Sequence, residues 1–160
     1  MPKEIKKSLA LAVLCLLVPD AQAESQYPDI WITSGFYSYH FDRDIKRRED
    51  NTGWGVEAAF SDRHAVLGGT FINSEFERTY YAGYLWRPLR TDLAGVNIAA
   101  GLALLALDGY LRVNNGGWFP VVLPGVSVEY KRVGLNFTVI PTIQNHVDGA
   151  VAVQFKLRLW

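Results

Sequence analysis

Apolar and polar residues alternate with a period of two along most of this chain. Alternating or continuously apolar runs of strand length form eight segments, roughly 30–42, 53–61, 65–73, 78–87, 95–107, 118–130, 133–143 and 149–160, punctuated by Gly, Asn, Asp or Pro. Each has the length that a tilted strand needs to cross a bilayer. In the first, Trp31, Thr33, Gly35, Tyr37, Tyr39 and Phe41 share one face, and Ile32, Ser34, Phe36, Ser38, His40 and Asp42 share the other. The aromatic face suits lipid and the mixed face a lumen. The connections alternate too: "SDRH" (61–64) and "KR" (131–132) are short, whereas 43–52, 74–77, 108–117 and 144–148 are mostly longer or more polar. The pattern predicts an all-β fold, an eight-stranded antiparallel up-and-down transmembrane β-barrel with both termini on the periplasmic side. A soluble sandwich shows the same alternation and is the competing reading. In the barrel, His40, Asn73 and Ser74 all reach the external rim.

The second half of the chain adds an apolar lumen to this picture. "VNIAAGLALLAL" (96–107) is apolar on both faces, and "WFPVVLPGVSV" (118–128) and "VGLNFTVI" (133–140) nearly are. One face meets lipid, so the other lines a greasy interior. Eight strands enclose room for packed side chains or one small ligand. The small residues Ala99, Ala100, Gly101, Ala103 and Ala106 favour a slot for one acyl chain over a filled core. Pro124 and Pro141 interrupt neighbouring strand-like runs. Proline donates nothing to a ladder, so the pair marks either a weakened seam, open to a lipid tail from the side, or two tolerated bulges.

Residues 1–23 read as an export signal, with Lys3, Lys6 and Lys7, the apolar run "SLALAVLCLLV" (8–18) and Ala21-Gln22-Ala23 at a cleavage site. The expected domains are thus a signal peptide, 1–23, and a single barrel, 24–160. The one cysteine, Cys15, falls in the signal, so the mature barrel has no thiol chemistry. Taking Lys3, Lys6, Lys7, Glu4 and Asp20 from 16 basic and 16 acidic residues leaves 13 and 14. That balance gives no case for nucleic acid. No phosphate loop, metal cluster or dinucleotide fingerprint is present, and no cofactor is expected.

Four pieces in order, "NSEFERTYYAGYLWRPL" (73–89), "FPVVLPGVSVEY" (119–130), "VIPT" (139–142) and the aromatic end, resemble the lipid A palmitoyltransferase (PagP) family. The resemblance implies a barrel of the bacterial outer membrane. It would move a palmitoyl or shorter chain from a phospholipid donor to lipid A, and would be monomeric. It also implies lateral entry at a gap matched by Pro124 and Pro141, with Pro28 matching part of a second. The family's Asp-Ser pair falls on Asn73-Ser74, its strand-one histidine lies four residues before His40, at Phe36, and its floor glycine is replaced by Leu85, which implies a shorter slot. The family's N-terminal amphipathic helix and first-loop proline have no counterpart, the latter falling near Thr52.

Acyl transfer needs a base and donors for the developing oxyanion. His40 suits a general base, Ser74 a donor or nucleophile, and Asn73 an amide donor. Alternatively, Asn73 and Ser74 only cap a turn. His146 and Asp148 form a second set able to approach Ser74, although "NHVDG" also reads as a hydrated turn; His64 is expected to be periplasmic and uninvolved. In "DRDIKRRED" (42–50), Arg43, Lys46, Arg47 and Arg48 suit lipid A phosphates, or simply solvate a loop. A non-enzymatic lipid-binding barrel and a lipase or deacylase are the alternative functions.

Overall fold

The computed structural model describes residues 28–144 and 146–159; the expected signal, 1–23, and Trp160 lie outside them. Eight strands form: β1 (Asp29–His40), β2 (Asp50–Ser61), β3 (His64–Ile72), β4 (Arg78–Leu93), β5 (Val96–Leu107), β6 (Phe119–Tyr130), β7 (Val133–Ile140) and β8 (Ala150–Arg158). Each pairs antiparallel with its sequence neighbours, and β1 pairs with β8, so the sheet closes. Closure removes both edges, which is what a sheet in hydrocarbon requires. Two-residue turns at 62–63, 94–95 and 131–132 occupy one end of the barrel, and the loops 41–49, 73–77, 108–118 and 141–149 the other. Ala94 and Gly95 both take positive φ, the backbone of a tight hairpin. Large apolar side chains cover the outer wall, among them Trp54, Val56, Val66, Leu104, Val122, Leu135, Val139 and Phe155, all more than a third exposed. This is the surface a bilayer would cover.

Strict alternation fails at one place in β1. Thr33 and Phe36 sit three residues apart, whereas their partners on β8, Lys156 and Gln154, sit two apart. The extra residue at Ser34-Gly35 is a β-bulge, which reverses the facing of everything beyond it. Trp31 and Thr33 are therefore buried in the lumen, and so are Ser38 and His40, while Tyr37, Tyr39 and Phe41 face outward. The single lipid-facing stripe expected from Trp31 to Phe41 is thus broken in two. A second bulge lies between Trp86 and Leu89 of β4 and holds Pro88, where a missing N–H costs no ladder bond. It turns both Arg87 and Arg90 toward the interior, where they line cavities. Of the five small residues noted above, alternation puts Ala99, Gly101 and Ala103 inside and Ala100 and Ala106 outside.

The expectation of an apolar lumen holds for the middle of the bore, lined by Leu67, Phe71, Leu85, Leu105 and Leu123. Toward the tight turns the bore is closed by charge. Lys156 and Glu57, both fully buried, pair with Glu129 and Arg87. Lys156 Nζ lies 2.6 Å from Glu129 Oε1 and 3.2 Å from Glu57 Oε1, and Arg87 Nη2 lies 2.9 Å from Glu57 Oε1. Two cations and two anions cancel, and Trp31 closes beneath, its ring centroid 4.5 Å from Lys156 Nζ. These four charges come from β2, β4, β6 and β8, one from each alternate strand, so no single segment carried the signal.

Candidate functional site

Above the ionic plug lies an apolar cavity of about 170 Å³. Phe36, Leu67, Phe71, Tyr81, Leu105 and Leu123 line it, with Gly101 and Ala103 leaving the room that leucines would fill. An apolar void of roughly 150 Å³ takes a benzene-sized guest and stays dry. Leu85 lies at its lower end, one inward position above Arg87. Ser127, Asn136 and Gln154 form a polar collar there.

A second cavity, of about 80 Å³, lies at the loop end and shares Phe36, Leu107, Tyr110, Leu123 and Ile140 with the first. His40, Ser74, Arg112, His146 and Asp148 line it. The two spaces are neighbours, the lower lined by apolar side chains and the upper by polar ones, with Tyr110 on the boundary between them. Burial and the nearby Glu75 carboxylate push the Tyr110 phenol well up, so it stays a neutral donor.

His40 ends β1 and is 5% exposed. Its Nδ1 is buried without a hydrogen-bond partner. Ser38, one inward position below, accepts from Asn51 Nδ2 at 2.8 Å. Ser74 lines the same cavity from the β3–β4 loop.

Asn73 does not take the expected role. It is fully buried, and its Nδ2 donates to Thr79 Oγ1 at 3.1 Å and to the Gly109 carbonyl at 2.8 Å. Its Oδ1 accepts from the backbone of Glu75 and Glu77. Both amide hydrogens are consumed, so none remains for an oxyanion. Asn73 instead builds the turn that presents Ser74, with Phe76 held at φ 68°. Gly109 meets it at φ 78°, where a Cβ would stand 2.3 Å from the Arg78 carbonyl oxygen, so glycine is required for this approach.

The rim arginines divide. Arg47 turns inward and binds Asp148 Oδ2 through Nε at 2.6 Å; Arg112 Nη2 reaches the same oxygen at 2.7 Å and its Nε reaches Glu75 Oε1 at 2.7 Å. Four loops are clasped by this chain of charges. Burial opposes the Asp148 charge, but Arg112 and Arg47 outweigh it and hold the carboxyl below its usual range. Arg43 stays exposed, bound to Glu49 and stacked over Tyr39, and Arg48 bonds the Asp50 carbonyl and Thr52. His146 Nδ1 donates to the Gln144 carbonyl at 2.9 Å. His64 lies at the opposite end, hydrogen-bonded to Tyr84.

Pro124 faces outward on β6, and Pro141 follows the last residue of β7 rather than interrupting it. β6 pairs with β5 from Phe119 to Tyr130, but with β7 only from Gly125 to Tyr130. Above Gly125 the two strands part. Val126 and Phe137, the ladder pair next below the parting, point outward and still line the apolar cavity.

Sequence reasoning missed Tyr110 and Arg112, which lie in a loop with no periodic pattern. It weighed Asp148 and favoured a hydrated turn.

No family model matches the chain. It is 29% identical over 124 residues to "Lipid A acyltransferase PagP" of Laribacter hongkongensis (strain HLHK9), an alignment covering 72% of this chain and 56% of that protein's length. The chain thus spans little over half of that relative. Among solved structures, a chain from "De novo design of transmembrane beta-barrels" aligns with a TM-score of 0.54 at 10% identity, over 86% of this chain and all of the other. The de novo designed TMB2.3 aligns at 0.52 and 13% identity, over 86% and 99%. The fold is that of a transmembrane β-barrel.

Proposed function

We propose that this chain is an outer-membrane acyltransferase that moves a fatty acyl chain from a phospholipid to lipid A. One observation carries the reading: the apolar cavity adjoins a rim cavity lined by His40 and Ser74, and the two share Phe36, Leu107, Tyr110, Leu123 and Ile140 as walls. A fatty tail in the lower space leaves its ester at the boundary, beside Tyr110. The name of the Laribacter relative supports the same chemistry.

In this reading His40 takes the proton of a lipid A hydroxyl, whose oxygen attacks the ester carbonyl. A new acyl–oxygen bond forms to lipid A, the old one to the phospholipid breaks, and the proton passes to the departing lysophospholipid. Ser74 and Tyr110 are the hydroxyl donors near the developing oxyanion, in place of Asn73. Donor lipid enters sideways where β6 and β7 part beside Pro124 and Pro141. Arg43 and Arg48 face the acceptor's phosphates at the outer rim; Arg47 is reserved for the clasp.

Expression in a host with unmodified lipid A tests this directly. The expected mass spectrum gains one acyl chain. Unchanged lipid A with the barrel correctly inserted would refute transfer, and free fatty acid in its place would indicate a deacylase.

Leu85 closes the slot just above Arg87, so it should select a chain shorter than palmitoyl. Leu85→Gly is expected to add room for a longer chain, read as a shift of the product ladder by about two methylenes, since one buried Leu side chain occupies several. An unchanged product distribution would move the floor elsewhere.

A further inference from the structure

We infer that Asp148 is the positioning carboxylate of His40, standing diagonally across the β1–β8 ladder and steadied by Arg47 and Arg112. The kinetic arm of this inference rests on the acyl-transfer reading; the spectroscopic arm does not.

The register supplies the placement. His40 pairs with Ala150, which is fully buried on the lumen side. The ladder continues one step past the strand ends, because Phe41 N–H donates to the Gly149 carbonyl at 2.9 Å. Asp148, two residues before Ala150, therefore returns to the face of His40. Diagonal neighbours on an antiparallel ladder lie about 7–8 Å apart, within reach of side chains. Both residues line the rim cavity.

Charge and burial make the same assignment. His40 Nδ1 is buried with nothing to bond. A buried orphan nitrogen is costly unless a partner arrives. The other carboxylate near His40 is Glu49, but it accepts from Tyr37 Oη at 3.0 Å and pairs with Arg43, side chains on the outer wall. Asp148 is the acid on the lumen side. Both arginines grip Oδ2, which leaves Oδ1 for the ring. Such contacts are often long in a ligand-free site and tighten with substrate. With Asp148 accepting from Nδ1–H, Nε2 is left bare as the base.

Asp148→Asn separates this role from simple packing. Arg47 and Arg112 only donate, so the introduced amide must turn its carbonyl to them and its NH₂ to the ring. That forces the proton onto Nε2 and blocks the base. Protein carrying ¹⁵N-histidine, with His40 assigned through His40→Gln, reports the tautomer. The wild type is expected to hold Nδ1–H, and Asp148→Asn to switch to Nε2–H. Its kcat should fall roughly 10³–10⁴-fold, the loss that a wrong tautomer causes in a serine protease, with KM held within about twofold. Asp148→Glu should keep the wild-type tautomer and stay within about tenfold in kcat. An Nε2–H wild type, an unchanged tautomer in Asp148→Asn, or a kcat within about threefold of wild type would each overturn the inference. A wild type that transfers no acyl chain would refute the functional reading, while the tautomer comparison would still decide the role of Asp148.

Discussion

His40→Ala is expected to lower acyl transfer about 10²–10⁴-fold while leaving a folded, heat-modifiable barrel, because general-base catalysis contributes on that order. His146 spends its Nδ1 on the Gln144 carbonyl and is exposed, and His64 sits at the far end of the barrel. The measurement is transfer from a defined phospholipid to lipid A in mixed micelles, with folding followed by gel mobility. Activity near the wild-type level would take His40 out of the mechanism and leave the rim cavity as a binding site alone.

The second large effect concerns stability. Lys156→Met is expected to destabilise the barrel by about 3–5 kcal/mol, the usual cost of stranding a buried charge. Lys156 is the hub of the plug, shared by Glu57 and Glu129 and seated over Trp31. Without it, Arg87 alone faces two carboxylates, and the interior carries a net negative charge. Pairing Lys156→Met with Glu129→Gln restores neutrality and should recover much of the loss, since a buried ion pair replaced as a whole is often near neutral in cost. Urea titration in lipid vesicles reads both. A single-mutant loss under about 1 kcal/mol would mean that water reaches the plug and screens it. Transfer by the refolded variant tests a further point: the plug lies below Leu85, so it supports the floor of the slot and does not touch the ester.

Most of the fold was legible in the residues. Eight alternating segments fell within a few residues of the eight strands, because a wall between lipid and lumen forces a period of two. The longest miss was β4, which runs to Leu93 through the Arg87-Pro88 bulge. A single proline with no N–H looks like a strand end in sequence, and only the neighbouring register reveals that the ladder resumes. The Trp31 facing failed for the same kind of reason. Nothing in "WITSGFYSYH" states where an extra residue enters, and one residue reverses every later side chain.

The candidate site was half legible. His40 and Ser74 were placed at one rim by counting strands, since in an up-and-down barrel connectivity alone decides which end a residue reaches. Asn73 was misjudged because its amide is consumed by Thr79 and Gly109, the second of these 36 residues away. Asp148 gained its standing from Arg47 and Arg112, which lie 101 and 36 residues off.

Local alternation and turn chemistry were enough to specify an eight-stranded tube and the end at which each polar residue emerges, because both depend on near neighbours along the chain. Which charges meet inside and where the bore stops depended on closure of β1 against β8. Those contacts join residues a hundred positions apart, and a bulge of one residue decides which of them point inward.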